Sequence, residues 1–105
     1  MFSSLGTSNV TVECWVYIPT TSEKGTFVNV GGLSYGYSIG IGNVDFDNAG
    51  NELIYLNDAV GWHATGDNIG TGWHHVAFTI DGSQNTTVYL DGVNVLSFTE
   101  TPNSG

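Results

Sequence analysis

A chain of 105 residues has room for one domain around one core, and at this size folding buries only about 60% of the surface that the unfolded chain exposes. Ten carboxylates stand against Lys24 as the only base, a net charge of -9, which excludes nucleic acid as a partner because nothing is present to neutralise phosphates. With 40% hydrophobic and 12% aromatic residues, and its carboxylates scattered singly, the chain is not a disordered acidic tail either.

In chain order, the apolar pattern has period two nearly everywhere. In NVTVECWVYI, Val10, Val12, Cys14, Val16 and Ile18 share one face and Thr11, Glu13, Trp15 and Tyr17 the other, until Pro19 ends the strand. The polar turn TTSEKG leads to TFVNVGG. Then YGYSIGIG sets Tyr35, Tyr37, Ile39 and Ile41 against a face of Gly36, Ser38, Gly40 and Gly42, where another backbone or a large side chain is expected to pack closely. ELIYLN reads as a short strand, GWHATGDNIGTG as a partly extended rim segment, and WHHVAFTID as a central strand. The run TTVYLDGVNVLSF is a hairpin closed by Asp91-Gly92, the pair that suits a type I′ turn. Its expected register faces Leu90 with Val93 and Val88 with Val95 on one side, and Tyr89 with Asn94 and Thr87 with Leu96 on the other. About eight short strands separated by Gly and Asp turns predict an all-β antiparallel sandwich or jelly roll, one domain over residues 1–105.

Several constellations resemble chemistry. His74 and His75 are adjacent, and adjacent residues of a strand point to opposite faces, so the two cannot converge on one metal ion. His74 falls with Val76, Phe78 and Ile80 at the edge of the core, with one nitrogen expected on backbone. His75 falls with Trp73, Ala77 and Thr79. Asp45, Asp47 and Gly50 fit the start of a calcium loop, but Leu56 stands where the bidentate carboxylate belongs, so Asp45, Asp47 and Asn48 form at most a loose oxygen cage, with calcium the only cofactor left open. Asp45 and Asp47 also have the spacing of a glycosidase pair without a third orienting residue, and Ser83 has no nucleophile elbow around it. A non-enzyme is therefore expected. Cys14 alternates with valines, the place of an inert core thiol, and as the single cysteine it forms no disulfide within the chain. FSSLGTSNV after Met1 has no basic or apolar region of a signal peptide, and no apolar run approaches the roughly 20 residues that span a bilayer, so membrane insertion is not expected.

The order NVTVECWVYIP, GTFVNVGG, YGYSIGIG, ELIYL, GTGWHHVAFTIDG and TTVYLDGVNV resembles the laminin G-like, concanavalin A-like lectin and glucanase superfamily, over roughly Asn9 to Phe98 and most specifically in its last third. The resemblance implies a jelly-roll sandwich of two antiparallel sheets. In relatives, ligands bind at rim loops or on the concave face; many members bind carbohydrate, often with calcium, others bind proteins, and some are hydrolases. The Glu-x-Asp-x-x-Glu strand of the glucanase branch has no counterpart here. Relatives are usually longer at both ends, so the chain is expected to be a fragment or to have its pairing completed by neighbouring copies. The leading expectation is a non-catalytic, lectin-like domain binding glycan or a surface protein on a cell, matrix or particle, with an extracellular or virion-surface location. Trp62 would stack on a sugar face, and His63, Asp67 and Asn68 would bond its hydroxyls. The alternative is a structural or decoration subunit of a virus particle, fibre or filament that forms homo-oligomers through its jelly-roll edges.

Overall fold

A computed structural model describes residues 9–32, 35–42, 49–57 and 61–99. Eight strands follow one another along them: β1 (Val10–Ile18), β2 (Gly25–Gly32), β3 (Tyr35–Gly42), β4 (Glu52–Asn57), β5 (Gly61–Asn68), β6 (Gly72–Ile80), β7 (Asn85–Leu90) and β8 (Val93–Thr99). They form two four-stranded sheets, ordered β1-β6-β7-β8 and β2-β3-β4-β5, and every pairing is antiparallel. The expected all-β sandwich is thus the fold of the chain.

Its core lies between the sheets and is built by the faces that the alternation marks. Val76, Phe78 and Ile80 of β6 are buried against Tyr37, Ile39 and Ile41 of β3 and Leu53 and Tyr55 of β4. Phe78 is the hub: its ring meets Tyr55 at 5.1 Å and Tyr37 at 5.5 Å, both edge-to-face, an arrangement worth about 0.5–1.5 kcal/mol per pair beyond the area buried. The glycine face of β3 fulfils its expectation at Gly40, where a Cβ would run into the carbonyl oxygen of Gly25 and the Cα of Thr26 on β2.

Two expectations need correction. The hairpin turn is as read, with Asp91 at φ 51° and Gly92 at φ 83°, and Leu90–Val93 and Tyr89–Asn94 pair as expected. Beyond them the register slips: Val88 pairs with Leu96 and Thr87 with Ser97, not with Val95 and Leu96. The cause is a bulge at Val95, an extra residue in β8 that turns Leu96 and Phe98 onto the core side. The segment Gly61–Asn68, read as a rim, is the edge strand β5, bound to β4 from Asn57–Gly61 to Glu52–Asn68 with a shift of its own.

Candidate functional site

β1 and β6 lie side by side without a break in register, which sets Trp15 opposite His75 and Tyr17 opposite Trp73 on the face turned away from the core. The rings of Trp15 and His75 meet at 5.1 Å and 61°, those of Tyr17 and Trp73 at 5.4 Å and 59°. Despite these contacts Trp15 is 68% exposed, Trp73 67% and Tyr17 58%. Three such side chains leave on the order of 400 Å² of aromatic surface in water, comparable with the largest apolar patch of an ordinary monomer, which is often functional. Polar groups border it. Glu13 sits opposite Ala77 with Oε1 3.5 Å from His75 Nε2, and beyond lie Thr11 opposite Thr79, then Thr87 and Ser97 on the next strands.

The start of β6 is held by a clamp. His74 Nδ1 lies 2.7 Å from Asp91 Oδ2 and Nε2 lies 2.8 Å from the Thr71 carbonyl oxygen. Both partners only accept, so the imidazolium, in which both ring nitrogens donate, is the form that satisfies both contacts. The hydrogen bond to Asp91 raises the His74 pKa above its usual value, against the pull of burial and with support from the Thr71 carbonyl and the Asp91 charge. Asp91 is lowered in turn, first by His74 and then by the His75 N–H that donates to its Oδ1 at 2.9 Å. Trp73 and His75 stand on either side of this clamped residue, so the clamp fixes the backbone that carries half the aromatic face. The expectation of one backbone bond to His74 is met. The carboxylate partner, not foreseen, comes from the hairpin turn.

Asp81 serves a similar end at the other terminus of β6. Its Oδ1 accepts from the N–H groups of Ser83 and Asn85 at 2.8 and 3.0 Å, and its Oδ2 from the Asn85 amide at 3.0 Å, which lowers its pKa through Asn85 foremost. Ser83 is part of this turn. Cys14 sits half-buried beside the core, and burial raises its pKa, which keeps the thiol protonated and unreactive.

The residues expected to hold a sugar are spread along β5. Trp62 pairs with Leu56. His63 is half-buried and stacks on Phe98 at 4.1 Å and 21°, linking the edges of the two sheets. Asp67 and Asn68 are exposed at the far end, about 17–20 Å along the strand from Trp62. There the shifted end of the β4–β5 pairing is tied by Gly66 N–H donating to Glu52 Oε2 at 2.7 Å and Thr65 Oγ1 donating to the Leu53 carbonyl at 2.6 Å. Asp45, Asp47 and Asn48 lie outside the described residues, among which no three His, Cys, Asp or Glu side chains group to hold a metal ion. The aromatic face was missed by sequence reasoning although its signal was present: both alternations put these rings outward, and only the β1–β6 pairing joins them.

A family model described as the concanavalin A-like lectin/glucanases superfamily, of laminin G type, matches residues 2–105. No curated protein and no solved structure matches the chain.

Proposed function

The chain belongs to the concanavalin A-like lectin/glucanases superfamily, and on that premise we propose that it is a non-catalytic, lectin-like module that binds carbohydrate on the surface of a cell, matrix or particle. The single observation that carries the reading is the open aromatic face of β1 and β6. The C–H faces of pyranose rings stack on indole and phenol surfaces, and the hydroxyls at their rims bond to the polar groups that border the patch, here Glu13, His75, Thr11 and Thr79. The charge of -9 favours neutral over sulfated or sialylated glycans. Non-catalysis is supported by the missing Glu-x-Asp-x-x-Glu strand and by the use of Asp81 and Asp91 to tie backbone. The exposed pair Asp67 and Asn68 on β5 forms a second, separate place for sugar hydroxyls.

A glycan array probed with and without calcium, and repeated with Trp15→Ala/Trp73→Ala and with Asp67→Ala/Asn68→Ala, tests the assignment. Neutral glycans are expected to bind, with a loss of about tenfold or more for the tryptophan pair, as for aromatic anchors of other interfaces. Binding that survives loss of both tryptophans moves the site to β5. An array with no signal above background removes the lectin reading.

A further inference from the structure

Beyond the aromatic rings, the outward face of the first sheet is graded along its strands. The unbroken β1–β6 register lays successive rows across it: Tyr17 with Trp73, Trp15 with His75, Glu13 with Ala77, and Thr11 with Thr79. The last two rows continue onto β7, where Tyr89 pairs with Ala77 and Thr87 with Thr79, and Ser97 of β8 ends the second of them. One end of the face is thus aromatic, and the other carries a line of hydroxyl side chains across all the strands of the sheet. Among the described residues no hydrogen bond ties up the hydroxyls of Thr11, Thr79 or Thr87, while that of Ser97 accepts from the Asn94 amide at 3.2 Å.

Between the two ends lies a low place. Ala77 has the smallest side chain of the seam and is 8% exposed, yet it does not belong to the core cluster, so its outward neighbours are what shade it. Glu13 on β1 and Tyr89 on β7 flank it as walls. The Glu13 side chain is 64% exposed with Oε1 3.5 Å from His75 Nε2, which leaves most of its acceptor sites to a ligand. From Tyr17 to Thr11 the seam runs about 20 Å, room for roughly four pyranose rings end to end. Trp15 and Trp73 are diagonal neighbours across the strand pair, their backbone positions about 7–8 Å apart, so consecutive sugar units rather than one ring engage them.

We propose that this face reads a straight, neutral glycan of about three or four units laid along the β1–β6 seam, rather than a single terminal sugar. The inference rests on the lectin reading and adds to it the length, shape and direction of the ligand. Consecutive units stack on the Trp73 and Trp15 rings, the next crosses the Ala77 floor with its hydroxyls toward Glu13 and Tyr89, and the last meets the line of Thr11, Thr79 and Thr87. An open face encloses no single ring, so affinity has to be collected along several units. A chain of equatorially linked pyranoses, as in cellulose, xylan and mannan, is straight enough to stay on the sheet over this length, whereas the chain of amylose coils away from it.

The probes are ladders of cello-, xylo- and manno-oligosaccharides from one to six units, titrated calorimetrically against the intact chain, with malto-oligosaccharides as the coiled control. Affinity for at least one straight ladder is expected to rise at least about tenfold between two and four units and then to level off, and the malto ladder is expected to show no such step. Thr11→Ala/Thr79→Ala should abolish the step, and Thr11→Ser/Thr79→Ser, which keeps both hydroxyls, should retain it. Trp15→Ala/Trp73→Ala should weaken every rung. Binding of the two-unit rung reports that the threonine variants are folded. A ladder in which one unit binds as tightly as four, a step that survives the alanine pair or is lost in the serine pair, or an equal step in the malto ladder overturns the inference and leaves the lectin reading standing. So does binding of other sugars on the glycan array when none of the straight ladders binds. No sugar bound in either format removes the lectin reading itself, and the inference with it.

Discussion

The outward faces of the two sheets are built on opposite plans. Over β3 and β4 the outward positions hold glycine, Ser38, Ile54 and the half-buried Glu52 and Leu56, and Ser38 and Ile54 are buried although they lie on the side of their strands away from the central cluster. Over β1 and β6 the outward positions hold Trp15, Tyr17 and Trp73, most of whose surface is open, beside a half-buried His75. Within the second sheet Gly40 permits the close approach of the β2 backbone at Gly25 and Thr26. Large aromatic residues without cover leave apolar surface in water. The difference is why the proposed recognition surface is assigned to the first sheet.

Substitutions that exchange the two plans should have graded effects. The largest is expected from Gly40→Val, which forces a branched side chain against the Gly25 carbonyl; urea unfolding should show a loss of about 3 kcal/mol or outright failure to fold. A near-neutral result would mean that β2 and β3 are less tightly joined than their register implies. Next is the clamp under the aromatic face. The His74 pKa is raised on folding, so its contribution is fully present below the unfolded value of about 6.5 and is lost as pH rises through the folded value. Asp91 is lowered, so its contribution is present above about 3.9 and is lost as pH falls through the folded value. Melting curves from pH 5 to 9 should therefore decline on the alkaline side, and His74→Gln should flatten that limb, an effect of about 1 kcal/mol after allowance for the exposure of Asp91. An unchanged alkaline limb in His74→Gln would remove the imidazolium assignment. The smallest effect on stability is expected from Trp15→Ala/Trp73→Ala: two exposed cross-strand pairs are lost, so unfolding should shift by about 1 kcal/mol or less, and a larger shift would mean that these rings hold the sheet together.

What could be read before folding follows the range of each interaction. Alternation along β1 and β6 is local, so the inward set from Val10 to Ile18 and from Val76 to Ile80 was legible, as was the turn at Asp91-Gly92 with its first two pairs. The bulge at Val95 was not, because it is decided by where Leu96 and Phe98 find the core rather than by the residues at the bulge. The segment of Trp62 to Asn68 looked like a loop because Gly61 and Gly66 break its pattern. Both glycines adopt positive φ, 132° and 78°, within a strand whose pairing to β4 overrides their preference. The carboxylate partner of His74 was hidden for a similar reason: Asp91 was already explained by the turn, and its second task appears only when β7 returns the chain to the start of β6.

The smoothness of β1 also bears on how the chain is made. Ile18 meets Gly72 and Val10 meets Ile80, so roughly 50–70 further residues must leave the ribosome before β1 has its partner, an interval of about 3–14 s at 5–20 residues per second. Throughout it the strand VTVECWVYI has two open sides and one negative charge. Glu13 is then the sole gatekeeper against premature pairing between nascent chains, and its removal should lower the yield of soluble protein before it alters anything in the finished fold.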